Sequence, residues 1–343
     1  MSVAPGRSQA SSHRSPQGVG CLMSSGAPQA VVPPGATAPA LAAASLHPPI
    51  RRRRARWGPV DLVLLLGVAG FVAYLAWQTH AVFAYRWDWR SIWPFVMRYD
   101  EASGRWVTNL LVEGLLTTLR LAIWGILLAG IIGTLMALCR TSRRLFLRMV
   151  GFSYVMLIRN IPPVVFVFVF VYFIASQIMP RLTIGDAVAQ WSPNAQFWIS
   201  ILFGTPRLID NFVLGLICLS VFSGAYVTEI VRAGIESVPR SQIEAGKSLG
   251  LSRTDITRFV VLPQAFRNVL PPMAGQFIQL IKDSSLVSLV SIQELTFMAQ
   301  DVQVSTQRVF EVFVFTGAVY FVICFSLSRL FAALERRHAR AHA

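Results

Sequence analysis

The sequence predicts an all-α membrane protein that crosses the bilayer six times. Hydrophobic residues fill 54% of its 343 positions and charged residues only 14%, against roughly 25% charged in a soluble domain. Apolar runs long enough to span a ~30 Å hydrocarbon core at ~1.5 Å per residue recur along the chain. Arginines account for almost all of the net charge of +15 and cluster between those runs, as at Arg51 to Arg54 and at Arg143, Arg144 and Arg148. They do not line one face interleaved with exposed aromatics, so the charge reads as topology beside membrane lipid and argues against nucleic acid.

Residues 1–55 are rich in Ser, Pro, Gly and Ala and cannot bury enough apolar surface to offset ordering entropy, so a disordered cytoplasmic tail is expected. Cys21 has no preceding apolar stretch to serve as a lipoprotein signal, and the four cysteines show no disulfide or zinc spacing. Residues 56–80 form the first crossing, with its apolar run at Pro59 to Gln78. Arg51 to Arg54 and Arg56 precede it and hold the N-terminus inside. Residues 81–107 mix charges with Trp87, Trp89, Trp93 and Trp106, the signature of chain lying at a membrane surface, here periplasmic.

Further runs follow at Leu110 to Leu138, Val150 to Ile178, Phe212 to Val231, Pro272 to Leu295 and Val309 to Phe331. Six crossings from a cytoplasmic start place three more segments inside, and all three are basic. They carry Arg140, Arg143, Arg144 and Arg148, then Arg240, Lys247, Arg253, Arg258 and Arg267, then Arg336, Arg337 and Arg340 in a tail over 333–343. The opposite loops hold few cations, Arg181, Arg207 and Arg308, and carry Asp186 and Asp301. Both termini are therefore expected in the cytoplasm of a multi-pass inner-membrane protein. The valine and aromatic run from Val164 to Phe173 is expected to be packing or lipid-facing surface.

The cytoplasmic stretch 232–271 is about 40 residues long, where a connector needs only a few. Ser241-Gln242-Ile243-Glu244 reads as a capping box that starts a helix. Gly250 supplies the left-handed conformation that ends it. Ser252-Arg253-Thr254-Asp255 reads as a second cap, for a short helix running until the chain approaches Pro263. Two short helices with a sharp bend are expected.

Glu244-Ala245-Gly246, Gly250 and Leu262-Pro263 fall at the spacing of the EAA loop, and the chain here resembles the permeases of ABC importers. Ala225-Tyr226-Val227-Thr228-Glu229-Ile230-Val231-Arg232, Leu262-Pro263-Gln264-Ala265 and Lys282-Asp283-Ser284-Ser285-Leu286 narrow the resemblance to the polar amino acid family. Leu115-Leu116-Thr117-Thr118-Leu119 and Arg159-Asn160-Ile161-Pro162-Pro163 extend it over 108–332. The first helix and the Trp-rich segment lie outside the five-helix core and resemble the longer permeases of general L-amino acid systems. Departures are Ser241 for Gly, Gly246 for a second Ala, and Ser284 for Thr.

The resemblance implies a type I importer fold with a five-helix core plus one extra N-terminal helix. It implies a dimer of cytoplasmic ATPase subunits gripping Glu244, Ala245, Gly246, Leu249, Gly250 and Leu251. It also implies a second permease chain, with the long form favouring a heterodimer, and a periplasmic amino-acid-binding protein. ATP and Mg would be bound by the ATPase partner and no cofactor by this chain, which has no GxxxxGK[ST] loop.

Charges inside the bilayer cost about 2.5 to 3.5 kcal/mol each and need a reason. Arg159, Asn160, Glu229, Lys282, Asp283 and Ser284 are the candidates for a path that meets ammonium and carboxylate, or else for interhelical ties. Glu229 and Arg159 are the expected partners of Lys282 or Asp283. The alternatives are a secondary transporter, which would not need the capped loop, and an ABC permease for another small polar solute. An intramembrane enzyme is disfavoured because His13, His47, His80, His338 and His342 lie in tails or at a helix edge, leaving no metal site or Ser-His dyad within the bilayer.

Overall fold

A computed structural model describes residues 58–83, 85–101, 104–177 and 184–340. The N-terminal tail, with Cys21 and its arginines, and Arg181 lie outside the described residues, as does His342. The chain divides into two units, 1–84 and 85–343.

The first unit contributes one described helix, α1 (Pro59–Phe83). Its apolar stretch Pro59–Gln78 is long enough to cross a membrane. Asp61 accepts from the Gly58 amide at 2.8 Å in the first turn, where the helix dipole favours an acid.

The second unit opens on the Trp-rich segment, which is more ordered than a surface connector. A 3₁₀ turn (Trp89–Ile92) leads into helix α2 (Trp93–Val96) and an antiparallel hairpin of β1 (Met97–Asp100) and β2 (Arg105–Thr108). The hairpin pairs Met97 with Thr108 and Asp100 with Arg105, and Tyr99 packs edge-on against Trp106. This small sheet is the one addition to the expected all-helical chain among the described residues.

The rest is helical: α3 (Leu110–Thr141), α4 (Leu145–Asn160), α5 (Pro163–Val169), α6 (Ile184–Ala189), α7 (Pro193–Phe203), α8 (Ile209–Glu236), α9 (Arg240–Ser248), α10 (Arg253–Asp255), α11 (Leu262–Asp283), α12 (Leu295–Thr306) and α13 (Val309–Arg340). Helix α8 is the most buried of the apolar helices, lying along α3 with α4 and α11 at its flanks. Small residues allow this approach: a Cβ on Gly133 of α3 would stand 2.5 Å from Val227 Cγ1 of α8. The Val164 to Phe173 run divides as packing surface should, with Phe166, Val167, Phe170 and Val171 in the core beside Phe222 and the remainder exposed.

Two of the predicted crossings are built differently from expectation. The third is not one helix from Val150 to Ile178. Helix α4 ends at Ile161 (ψ 134°) and α5 departs at 112° to it, because each proline of Pro162-Pro163 drives the preceding residue out of the helical region and removes an amide donor. A π-helical stretch, Phe170–Ala175, then continues α5. The fifth does not run as one helix to Leu295. Helix α11 stops at Asp283, a 3₁₀ stretch continues over Ser284–Val290, and Ser291 reverses the chain with φ 62°. The loops after α5 also hold secondary structure of their own, α6 and α7.

Candidate functional site

The stretch 232–271 forms a short lever on a fixed base. The N-cap of helix α9 lies two residues before the proposed one at Ser241: Pro239 takes that place, no side chain caps the helix, and the Gln242 amide donates to the Pro239 carbonyl at 3.1 Å. Proline suits that place because its φ is preset for helix entry, so Ser241 sits inside the first turn. The helix ends as expected at Gly250 (φ 74°). Gly250 N–H reaches the Lys247 carbonyl at 2.9 Å and Leu251 N–H reaches that of Gly246 at 3.1 Å, which is the Schellman closure.

Ser252 then caps α10 through the Asp255 amide at 3.2 Å, and its hydroxyl donates to the Asp255 carboxylate at 2.6 Å. The second helix does not stop short of Pro263. A π-helical stretch, Ile256–Val261, carries α10 directly into α11, with the proline in the first turn of α11, where its missing donor is tolerated.

Within the lever, Gly246 is buried while Glu244, Ala245, Leu249 and Gly250 are exposed. A Cβ at position 246 would sit 3.0 Å from Ile256 Cγ1, so glycine here lets α9 lie against the following helix. Leu249 is 79% exposed and Leu251 38%. Among the described residues the Glu244 carboxylate has no ion-pair partner.

The base is tied by charge. Glu229 of α8 pairs with Arg140 of α3 and, at 2.8 Å, with Arg232 one turn on, which also pairs with Glu236. Asn268 of α11 donates to the Ser237 hydroxyl at 2.9 Å. The stems entering and leaving the lever are thus fixed to each other and to α3.

The other intramembrane candidates do not pair as expected. Asp283 accepts from Gln279 of its own helix at 2.8 Å, since one turn of α11 already supplies a donor. Glu229 is committed to the two arginines, and Arg159 lies over the Tyr226 ring at 5.3 Å. The Ser284 hydroxyl donates to the Ile281 carbonyl and the Asn160 amide to Met156. No hydrogen bond or ion pair among the described residues joins the α4, α8 and α11 groups to one another. Lys282 instead lines an open cavity of about 310 Å³ with Ser285, Thr296, Phe313, Thr316 and Tyr320.

Sequence reading missed three polar groups. Glu294 is 0% exposed and caps α12 through the Phe297 amide at 2.9 Å, while Tyr320 of α13 (2.8 Å) and Thr118 of α3 (3.3 Å) donate to its other oxygen. Glu311, also buried, accepts from the Tyr85 hydroxyl and from the Asp88 amide at 2.9 Å, stapling the Trp-rich segment to the start of α13. Outside the spans, burial and the neighbouring Glu311 carboxylate hold the Tyr85 phenol above its usual range. Arg120, in α3, lines a second cavity of about 260 Å³ with Glu113, Thr117, Ser200, Asn211 and Gln293. The charge of Glu294 was visible in the sequence, but its burial depends on the reversal at Ser291.

Residues 125–340 match the family described as the binding-protein-dependent transport system inner membrane component. The glutamine transport system permease protein of Escherichia coli is 31% identical over 252 residues, covering 74% of this chain and 98% of the relative. The octopine transport system permease protein of Rhizobium radiobacter is 32% identical over 240 residues, 70% of this chain and 90% of the relative. Among solved structures, an amino acid ABC transporter crystallised with histidines matches with a TM-score of 0.55 at 31% identity, covering 66% of this chain and 94% of that one.

Proposed function

The chain belongs to the family of binding-protein-dependent transport system inner membrane components, and from that premise we propose that it carries polar L-amino acids across the bacterial inner membrane. It is the permease subunit of an ABC importer, with the five-helix type I core preceded by one further helix, and a separate ATPase supplies the energy. The relatives named for glutamine and octopine support an amino-acid cargo.

The observation that carries the reading is the lever: a nine-residue helix, α9, entered from Pro239 and closed at Gly250, exposed along Glu244, Ala245 and Leu249, and rooted in stems tied by Arg140, Glu229 and Arg232. A rigid helix on a fixed base passes force to the helices it joins. The ATPase dimer grips Glu244, Ala245, Leu249 and Leu251 on either side of the Gly250 turn, and Gly246 seats the lever on Ile256. A periplasmic binding protein delivers the amino acid, and a second permease chain, here a different one, completes the path. Both termini face the cytoplasm, in keeping with the basic segments at 140–148, 240–267 and 336–340.

On the path itself, Arg159, Asn160, Lys282, Asp283 and Ser284 are the groups set to meet a zwitterion, and Glu229 positions α8 against α3. Replacing Glu244 by Lys is expected to abolish co-purification of the ATPase and uptake of labelled amino acid while membrane insertion stays intact. Unaltered uptake and assembly would remove the lever from the mechanism.

A further inference from the structure

Arg120 sits ten residues into α3, about 15 Å along its axis, inside the apolar stretch Leu110–Thr141. A charge at such depth is a functional group by default, and its partner should be identifiable. The Arg120 Nε–H donates to the Ile201 carbonyl at 2.9 Å. A guanidinium carries five N–H donors, and among the described residues no carboxylate lies within ion-pair reach of this one and no acceptor takes the other four.

Capping the end of α7 does not account for the charge. The neighbouring Trp124 holds the next carbonyl, Leu202, at 3.0 Å with a neutral indole, and its ring stacks on Phe203. Helix α7 therefore has an uncharged tie that serves the same end. The guanidinium also borders the cavity: a Cβ on Gly204 would stand 3.4 Å from Arg120 Nη1, and Gly204, with φ 96°, forms the adjoining wall. Thr117, Asn211 and Gln293 add short polar side chains to a lining that also includes Leu116, Phe203 and Ile292, and Glu113 lies two turns nearer the start of α3.

We propose that this cavity, roofed by the last turn of α7, is a carboxylate-binding subsite on the periplasmic half of the path, in which Arg120 takes the carboxylate of the transported amino acid through its free Nη groups. A planar guanidinium fits a carboxylate with two parallel hydrogen bonds. Glu113 favours a ligand that also carries an ammonium and opposes a plain anion. Because one guanidinium holds both the ligand and the α7 carbonyl, occupancy bears directly on how α7 closes over the cavity. This subsite rests on the amino-acid importer reading above and extends it to residues outside the Lys282 and Asp283 group.

The test uses the assembled permease and ATPase complex in lipid nanodiscs without the binding protein, with equilibrium binding of L-glutamine and of its α-carboxamide analogue. The wild type is expected to prefer the carboxylate, and Arg120→Gln to weaken L-glutamine binding at least tenfold and erase the preference. Should that variant fail to assemble, Asn211→Trp fills the cavity while leaving Arg120 and the α7 ties in place, and is expected to abolish L-glutamine binding. Retained preference in Arg120→Gln, or undiminished binding in Asn211→Trp, overturns the subsite and leaves the importer standing. A wild-type complex that neither binds nor transports any amino acid overturns both.

Discussion

Replacing Leu249 by Ala separates the lever's two possible roles, because its side chain is 79% exposed and so contributes little to the fold of its own chain. Full burial of a leucine side chain is worth about 1.5 to 3 kcal/mol. With only about a fifth of that realised in this chain, most of it is left for a partner. Alanine retains a minor share, so the loss on docking is about 1 to 2 kcal/mol, or roughly 5- to 30-fold in affinity at about 1.4 kcal/mol per decade. The permease itself should lose no more than about 0.5 kcal/mol, since alanine is compatible with the backbone at 249 (φ −81°, ψ 4°). Titrating purified ATPase onto nanodisc-held permease measures the first quantity, and thermal unfolding of the permease measures the second. An unchanged affinity, or a permease that unfolds markedly earlier, would refute the assignment of this surface to a partner.

Gly133→Ala should destabilise the permease by about 1 to 3 kcal/mol through overpacking, because the new Cβ meets Val227 Cβ at 2.6 Å and the Gly224 carbonyl at 3.0 Å; thermal unfolding reads it. Glu229→Ala strands Arg140 in a half-buried site and is expected to cost about 2 to 4 kcal/mol, less than the 3 to 5 of a fully buried pair. The Arg140→Met/Glu229→Met double variant should recover a good part of it, and additive losses in a double-mutant cycle would deny the pair. The Tyr85 phenol, held above its ordinary value by burial and by Glu311, should titrate above about pH 10. Its folded pKa is raised, so its support of the Trp-rich segment is complete below the unfolded value and is lost as pH rises through the folded one. A spectrophotometric titration in which Tyr85→Phe removes no high-pH phenol would contradict this.

The far end of the lever was legible in the sequence, since Gly250 and Ser252 act through neighbours within five positions. Its start was displaced to Pro239 because the proline's preset φ outweighed the Ser241 and Glu244 pattern. The breaks in the third and fifth crossings were also written locally, in Pro162-Pro163 and in the polar run around Lys282 to Ser285, but hydropathy averaging passed over them. The partners of the buried charges were not legible. Glu229 meets Arg140 across 89 positions of chain, and Thr118 reaches Glu294 across 176.

What the sequence determined by itself was whatever depends on composition and short-range periodicity: a lipid-solvated helical chain, its basic faces, and the short, bent helix between α8 and α11. Tertiary structure alone decided which polar groups are buried and against what, including the Nη face of Arg120 that meets no acceptor among the described residues. Helices can be recognised from spacings of three or four residues, but the neighbour across a helix interface is set by how small residues such as Gly133 let α3 and α8 approach, and that rotation and depth are fixed only when all the helices pack together.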